Sequence, residues 1–507
     1  MSNTATDTTT RPTTTIGTLL GPLRSVGGAR RTTGLDDVTL ERFAATDPRL
    51  LEATEAAVAA FQEIAVEFGE LIDLDEDAQC AAVQAGYVNF YPQHSVNPYV
   101  ALVGRGPWLI TLKGAVLFDA GGYGMLGFGH PTGDILEAMA RPQVMANVMT
   151  PSISQLRFER AITAEIGHTR SDGCPFTRFM CLNSGSEATG LAARIVDTNA
   201  KTHTDPDGEH PGATIKRLVV SGSFHGRTDR PALYSDSSRK DYDAALASFR
   251  GDDSVIVIEP YDEVALKQAF ADAEANNHFI EAVFLEPVMG EGDPGRALPP
   301  SFYALARELT AAAGSLLLID SIQAGLRCHG VLSVVDYPGF GELEPPDLET
   351  YSKALNAGQY PFSVLALTDR AAAIYRRGTY GNTMTTNPRA LEVASRVLGK
   401  VTDEVRTTIR ERGTEALARL TDLQAELPGA VTKVQGTGLL FSCELSPAYR
   451  VVGDDSTEVW LREHGLGVIH GGENSLRFTP PFDVTSDQLE LLVSLVERAL
   501  RDGPRAG

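Results

Sequence analysis

Hydrophobic residues in the first part of the chain recur with the spacing of amphipathic helices. In LERFAA and LLEATEAAVAAFQEIAVEFGELI, apolar residues return at i, i+3, i+4 and i+7, with acidic residues on the opposite face. This periodicity predicts an N-terminal helical extension over residues 35–96. Residues 1–34 are rich in Thr, Gly and Arg, a composition that favours a disordered tail over an organelle-targeting presequence.

The pattern changes at about residue 97, where apolar and polar residues begin to alternate. The segment NPYVALVGRGPWLITLKGAVLFDAGG carries this alternation between Gly and Pro breakers, which predicts short strands or a hairpin ending near Asp119. Glycines follow at positions 121, 122, 124, 127 and 129. Residues 97–130 are therefore predicted to hold the first strands of a small domain and a loop at the site entrance.

From about Gly133, helical stretches alternate with short apolar runs. The helical stretches are ILEAMARPQVMA, SEATGLAARIVDTNA, YDEVALKQAFADAEA and PSFYALARELTAAAG, and the apolar runs are IKRLVVSG, SVIVIEP, EAVFLEP and SLLLIDS. This alternation predicts an α/β fold in which a mostly parallel sheet is covered by helices on both faces, over residues 131–386. Residues 387–507 are predicted to form a smaller C-terminal α+β domain, with a first helix through Leu398 and a last helix in SDQLELLVSLVERALRD.

Composition narrows the partners that this chain can bind. The 507 residues include 44 Lys and Arg against 66 Asp and Glu, a formal charge of −22. Such a field repels phosphate backbones and anionic lipid, so we expect neither a nucleic-acid nor a membrane partner. There is also no apolar run of about 20 residues and no apolar core of a secretory signal.

The cysteines point to a reducing compartment. They are odd in number and scattered, without a CxxC pair or a neighbouring His cluster; they are Cys80, Cys174, Cys181, Cys328 and Cys443. We expect reduced thiols in a cytoplasmic protein, and no metal site.

Polar groups at predicted strand ends mark the candidate site, because ligands of open α/β sheets bind at the carboxyl ends of strands. Residues 183–188 (NSGSEA) open a helix with small residues, whose free N–H groups suit a phosphate. An ordinary helix cap with a capping-box Glu187 would have the same sequence. Residues 223–228 (SFHGRT) present an aromatic and a cation after a strand, although such an aromatic is commonly part of the core.

Two charged residues complete the pattern. Asp320 ends the apolar strand LLLID, where a desolvated carboxylate needs either a structural hydrogen bond or a cation. Lys353 lies among small and apolar residues in YSKAL. Burial of that amine would make it a nucleophile able to form a Schiff base, whereas a solvated lysine is the commoner case.

The phosphate loop, the aromatic, the acid and the lysine together, in this order, indicate a pyridoxal phosphate site. That chemistry needs a lysine to form the internal aldimine and later carry a proton. It also needs an acid that keeps the pyridine nitrogen protonated and an aromatic that fixes the plane of the ring.

From about Asn97 to its C-terminal end, the chain resembles the class III pyridoxal-phosphate aminotransferases, which include ornithine, acetylornithine and 4-aminobutyrate aminotransferases. The resemblance implies fold type I, with Lys353 as the Schiff-base lysine and Asp320 as the partner of the pyridine nitrogen. It implies the following cofactor-binding positions: Gly185, Ser186, Phe224, His225, Glu286, Asp320, Ile322, Gln323, Lys353 and Thr383. In this resemblance Gln323 contacts the ring hydroxyl, Ile322 and Phe224 enclose the ring, and Gly185 with Ser186 hold the phosphate. Thr383 reaches the phosphate in the neighbouring subunit, which implies a homodimer.

The same resemblance implies three substrate-binding residues. Arg477, in NSLRFTPP, takes the place of the family's carboxylate-binding arginine. Arg227 corresponds to the position where ω-aminotransferases hold a second carboxylate, and Glu291 to the glutamate that masks the first arginine. A Glu291–Arg477 pair would open for a dicarboxylate acceptor and close for an ω-amine donor. Structural ion pairs are the alternative for both arginines.

Two motifs depart from the family pattern. These departures bear on the identity of the substrate more than on that of the cofactor. Ser321 and Ile322 stand where the family usually has Glu-x, and residues 384–386 (MTT) replace an aromatic and two glycines. The resemblance predicts transamination from an amino acid or ω-amine to a keto acid, 2-oxoglutarate. An aminomutase, epimerase, decarboxylase or eliminating or coupling enzyme of the same fold is the alternative, and a cofactor-binding regulatory domain is a third.

Overall fold

The computed structural model describes residues 15–506. Regular secondary structure begins earlier in the chain than the sequence predicted. Residues 1–14 of the expected tail lie outside the described residues. The prediction of disorder is wrong for residues 15–34, which include two short helices. Ile16, Leu20 and Leu23 are buried at helical spacing, so this segment has its own apolar stripe to pack against the body.

The described residues form helices and strands over most of their length. The helices are α1 Ile16–Leu19, α2 Gly21–Arg24, α3 Asp37–Ala44, α4 Pro48–Glu67, α5 Gly69–Ile72, α6 Glu76–Gln84, α7 Gly133–Ala140, α8 Ile153–Glu165, α9 Gly185–Thr204, α10 Asp229–Ala232, α11 Arg239–Ala245, α12 Glu263–Ala275, α13 Pro300–Ala312, α14 Asp369–Ile374, α15 Pro388–Lys400, α16 Asp403–Glu426, α17 Thr457–Glu463 and α18 Ser486–Asp502. The strands are β1 Ala101–Arg105, β2 Trp108–Thr111, β3 Val116–Asp119, β4 Arg178–Leu182, β5 Thr214–Val220, β6 Val255–Ile258, β7 His278–Leu285, β8 Leu316–Asp320, β9 Leu348–Tyr351, β10 Ser363–Leu367, β11 Val431–Thr437, β12 Leu440–Leu445, β13 Leu466–Gly467, β14 Ile469–Gly471 and β15 Ser475–Phe478.

A seven-stranded sheet forms the centre of the molecule, in the order β4-β10-β9-β8-β7-β5-β6. β10 pairs antiparallel with both of its neighbours, and the other pairs are parallel. Alternate residues of β8 enter two separate apolar clusters, Leu317 and Ile319 in one and Leu316 and Leu318 in the other. Both faces of the sheet are therefore covered, and the predicted α/β fold with a mostly parallel sheet is confirmed.

Helix α4 fastens the N-terminal extension to a second sheet. That sheet has the order β1-β2-β3-β13, and its first three strands form where the alternating segment predicted them. Asp47 caps α4 by accepting a hydrogen bond from Arg49 N (3.1 Å), and it also accepts one from Trp108 Nε1 in β2 (2.9 Å). The capping carboxylate is thus shared between the extension and the body.

The C-terminal part consists of an antiparallel sheet, β11-β12-β15-β14, with α15 to α18. Sequence patterns predicted α15 and α18 but not the 24-residue α16, whose buried residues form only a narrow stripe. The predicted helix in ILEAMARPQVMA ends at Ala140, because Pro142 disfavours a helical residue before it. Within residues 15–506, none of the helices has both the length and the apolar character to cross a bilayer.

Candidate active site

The ends of several neighbouring strands bring the predicted site residues together. Asp320 is the last residue of β8, and Lys353 follows β9 by two residues. Phe224 and Glu286 lie just after β5 and β7. Because these four strands are parallel, their carboxyl ends lie at one edge of the sheet, where such folds bind ligands.

The amine of Lys353 lies against the amide of Gln323. Lys353 Nζ donates to Gln323 Oε1 at 2.8 Å, while Gln323 Nε2 is buried without a hydrogen-bond partner among the described residues. Burial lowers the pKa of Lys353 to about 8, and the charge of Arg477 acts in the same direction. The site therefore holds an amine with a substantial neutral fraction near neutral pH, next to an amide donor with free capacity.

Asp320 is held from two sides. Its Oδ2 lies 2.9 Å from His225 Nδ1, and its Oδ1 accepts hydrogen bonds from Ile322 N (3.1 Å) and Thr350 Oγ1 (3.0 Å). His225 is itself buried, and its backbone N–H donates to Ser235 Oγ. The structure thus places His225 as a residue that orients Asp320.

Glu286 connects two of the site loops. Its carboxylate accepts hydrogen bonds from Phe224 N (3.1 Å) and Gly290 N (2.8 Å). Burial raises the pKa of Glu286 to about 7; the neighbouring His225 opposes this shift and Asp320 adds to it. Glu286 thereby links the backbone of the loop after β5 to that of the loop after β7.

The N-terminus of α9 packs tightly against the other loops. A Cβ added to Gly185 would lie 2.8 Å from Ile322 Cδ1, and one added to Gly226 would lie 2.6 Å from Ser186 Oγ. The first N–H groups of any helix have no partner within the helix, so this end can bind an anion. Ser184 caps the helix by accepting from Glu187 N, so the helix-cap interpretation is also correct, but the Glu187 carboxylate accepts from Asn183 N (2.8 Å) and forms no capping box with Ser184.

The charged substrate residues pair differently from the arrangement that the resemblance implied. Glu291 forms an ion pair with Arg227 (3.5 Å), whose guanidinium lies 5.4 Å from the centre of the Phe224 ring. The buried Arg477 donates instead to the carbonyl of Gly290. The predicted Glu291–Arg477 pair is therefore absent from the described structure, because the backbone carbonyl next to Glu291 takes up that guanidinium.

Thr383 lies on a separate surface. Its backbone carbonyl accepts from Asn147 Nδ2 (3.2 Å), and its side chain is exposed. It lines a groove of about 950 Å³ together with Val148, Met149 and residues of β4. Of the predicted site residues, this groove contains Thr383 alone.

The sequence did not reveal the part played by Glu349. This buried carboxylate in β9 accepts from Ser321 Oγ (2.5 Å), Ser333 Oγ (2.6 Å) and Val334 N (2.9 Å). Ser321, which occupies the position where the resembled family usually has glutamate, thus donates to a carboxylate of the neighbouring strand. A charged residue in an otherwise buried strand was the only available signal.

Comparison with known proteins identifies the family. The family model for class-III aminotransferases matches residues 90–500. The chain belongs to this family. It is a pyridoxal-phosphate enzyme that transfers amino groups, as the sequence predicted.

Individual relatives agree with this assignment. An acetylornithine aminotransferase from Prochlorococcus marinus subsp. pastoris is 25% identical over 404 residues, which cover 78% of this chain and 90% of the relative. The enzyme of the same name from Xanthomonas campestris pv. campestris is 30% identical over 316 residues, 61% of this chain and 71% of the relative. The ornithine aminotransferase of Toxoplasma gondii ME49 superposes with a TM-score of 0.70 at 23% identity, covering 86% of this chain and 97% of that one. This likeness confirms the fold.

The residues of this class-III aminotransferase fit the cofactor. Pyridoxal phosphate carries an aldehyde, a ring hydroxyl, a pyridine nitrogen and a phosphate. The site offers the amine of Lys353, the unpartnered Nε2 of Gln323, the carboxylate of Asp320 and the N-terminus of α9. Each group of the cofactor thus has a chemically matched partner at the same edge of the sheet.

Proposed function

We propose that this enzyme moves an amino group from an amino acid or ω-amine donor to a keto acid, 2-oxoglutarate, with Lys353 as its central residue. The observation that carries the proposal is the enclosed Lys353 amine, 2.8 Å from Gln323 Oε1, at the strand edge that holds Asp320. Bound pyridoxal phosphate supplies an electron sink for the electrons left behind when a proton leaves a substrate carbon.

The chain's own residues divide the remaining work. Lys353 would hold the cofactor through Nζ and, when free, take a proton from the substrate carbon, because a pKa of about 8 leaves part of the amine neutral. Asp320, fixed by His225 and Thr350, would keep a proton on the pyridine nitrogen. Gly185 and Ser186 would receive the phosphate at the start of α9.

Two arginines support a keto acid with two carboxylates as the acceptor. Arg477 is buried and presents a planar guanidinium beside the site, and Arg227 is partly exposed at its rim. Glu291, which pairs with Arg227, can be displaced by a second carboxylate of the acceptor. The acetylornithine and ornithine aminotransferases among the relatives support an ω-amine as the donor.

A half-reaction followed by absorbance tests this proposal. Amino acids and ω-amines are added one at a time to the yellow holoenzyme without any acceptor. One donor is expected to bleach the visible band with release of its own keto acid or aldehyde, and 2-oxoglutarate is then expected to restore the band with release of glutamate. A band that shifts without being restored by any keto acid would establish another reaction of the same fold instead.

The Lys353→Ala variant supplies the matched control. It should not bleach with the donor, while Lys267→Ala, which removes an amine from α12, should behave as the wild type. Bleaching of Lys353→Ala at the wild-type rate would contradict the role of this lysine.

We also propose that two copies of this chain assemble with shared active sites. Val148 and Met149, which line the groove that contains Thr383, are exposed. Further exposed apolar residues lie close to lining residues along the chain; they are Val144, Met145, Ile153, Leu156 and Met384. An accumulation of exposed apolar residues of this kind favours burial against a partner. A second copy seated there would bring Thr383 toward the neighbouring cofactor phosphate.

Mixing two defective variants tests this shared arrangement. Lys353→Ala removes the amine, and Thr383→Glu places a carboxylate where a phosphate is expected. Refolding the two together should restore about a quarter of the wild-type donor-dependent bleaching, since half of the dimers then contain one intact site. No recovery above the separate variants would refute the shared site.

A further inference from the structure

Three metal-ligating side chains meet at the end of α9 that lies farthest from the active site. His203 is in the last turn of α9, and Glu209 and His210 follow in the loop before β5. Their ligand atoms all lie within 4.8 Å of one another. Since a helix rises 1.5 Å per residue, His203 lies about 27 Å from Gly185, and the cluster is separate from the cofactor site.

The fold holds the two histidines in place. His210 N donates to the carbonyl of His203 at 2.8 Å, which closes the loop onto the helix end. Both imidazole rings pack against Phe279, whose ring centre lies 5.1 Å from that of His203 and 5.3 Å from that of His210. A Cβ added to Gly314 would lie 2.6 Å from His203 Cε1, so the ring occupies space that only glycine leaves open. The rings are therefore positioned by packing.

The donor set and its spacing match a transition-metal site. Two imidazoles and one carboxylate are ligands that zinc uses, at bond lengths of about 2.0–2.2 Å. In a tetrahedral site with such bonds, neighbouring ligand atoms lie about 3.4 Å apart. His203 Nδ1 and Glu209 Oε2 form an ion pair at 3.4 Å, which is also the separation that such a site requires.

We propose that His203, Glu209 and His210 bind a divalent transition-metal ion of the zinc type. Three protein ligands leave a fourth position for water. Asp205 and Asp207 in the same loop add negative charge, and Lys201 offsets only the first of these, through a 2.6 Å ion pair. The sequence predicted no metal site because it offered no cysteine pair, whereas this cluster consists of two histidines seven residues apart and one glutamate.

Metal binding would fasten the end of α9 to the loop that leads into β5. The ligands come from the helix and the loop, and Phe279 beneath them belongs to β7. An ion that binds the folded chain alone stabilises it by mass action, so the proposed role is structural.

Calorimetric titration of untagged, EDTA-treated holoenzyme with zinc chloride tests the site. The wild type is expected to bind one ion per chain at this site. Glu209→Gln and His210→Asn should each weaken this binding by about tenfold or more, since a direct ligand matters at least as much as a residue that supports one. His94→Asn, which removes a histidine from the N-terminal extension, should leave it unchanged.

Glu209→Gln keeps the test independent of folding. This side chain is 79% exposed and contacts His203 through its carboxylate, so its removal leaves the core intact. Zinc binding that is absent from the wild type, or that is equally strong in Glu209→Gln and His210→Asn, would overturn the proposal. In the latter case the ion would be bound by thiols or the active site.

Discussion

At the scale of single residues, burial gives Lys353 its chemical character. An ordinary lysine, with a pKa near 10.4, is neutral in about 0.04% of molecules at pH 7. With a pKa of about 8, roughly a tenth of the Lys353 amines are neutral at that pH. Burial therefore raises the reactive fraction more than a hundredfold.

This shift predicts how cofactor capture depends on pH. When pyridoxal phosphate is added to cofactor-free protein, the rate at which the visible band appears should rise with pH to a plateau, with a midpoint near 8. The cofactor phosphate does not change its charge above about pH 7. The pyridine nitrogen of the free cofactor does titrate in this range, so the same rate measured for the free cofactor with a small amine of known pKa is the control that isolates Lys353. Stopped-flow absorbance between pH 7 and 10 provides the measurement. A midpoint near 10 would mean that burial leaves the lysine unaffected.

A second prediction concerns Glu349, an acid whose pKa is also changed by burial. Burial raises the pKa of Glu349 to about 7, with the hydrogen bonds from Ser321 and Ser333 opposing the shift. The folded chain therefore binds more protons than the unfolded chain between about pH 4.5 and 7, and stability falls as pH rises through that range. Glu349→Gln should remove this fall. At pH 8 its free energy of unfolding should exceed that of the wild type by about 1–3 kcal/mol.

Urea denaturation of the cofactor-free proteins at pH 5 and pH 8 checks this sign. A glutamine can keep the contacts, because its oxygen accepts from Ser321 and Val334 and its amide donates to the rotatable hydroxyl of Ser333. Equal destabilisation of Glu349→Gln at both pH values would contradict the raised pKa.

At the scale of elements, α4 depends on a single carboxylate at its start. Asp47 accepts hydrogen bonds from Arg49 and Trp108, and Gln488 Nε2 of α18 approaches it at 3.3 Å. Removing it leaves a helix without its cap and a buried indole N–H without a partner. Asp47→Ala should therefore lower the free energy of unfolding by about 2–4 kcal/mol.

Denaturation followed by tryptophan fluorescence measures this loss. Asp37→Ala is the matched control, because its carboxylate is 59% exposed and pairs with Arg24 at the surface. The free energy of unfolding of that variant should be lower than the wild type's by less than about 1 kcal/mol. Similar losses in both variants would show that Asp47 is no more than a surface cap.

Sequence patterns predicted elements well where burial imposes a simple pattern. β7 and β8 are continuous apolar runs because parallel strands are buried on both faces. β9 escaped prediction because Glu349 and Thr350 interrupt its apolar residues, although both are fully buried. Strand order, and hence the pairing of Glu349 with Ser321, depends on contacts between distant segments that no local pattern encodes.

The candidate site was predictable in so far as it follows the family's motif order. Asp320, Gln323 and Lys353 meet as expected, since each motif ends a strand of one parallel sheet. The structure pairs Glu291 with Arg227 and not with Arg477, because the backbone carbonyl of Gly290 accepts from Arg477. Spacing along a chain carries no such information.

At the scale of the whole molecule, the proposed dimer rests on the apolar surface around Thr383. Met149 is 81% exposed there, so Met149→Lys would bury a charge in the interface. Sedimentation velocity should show the dimer dissociating at a concentration at least tenfold higher than for the wild type. Val264→Lys, at a 78% exposed position on α12, should leave the assembly unchanged.

The docking of the N-terminal extension also limits when this chain can complete its folding during translation. Thr33 and Gly34 donate to the carbonyl of Glu463, and Arg49 pairs with Asp483. At about 5–20 residues per second, residues needed to complete these contacts emerge roughly 20–90 s after the extension itself. The N-terminal extension must therefore wait for residues 463–483 before these contacts can form, and its apolar stripe stays within reach of chaperones during that time.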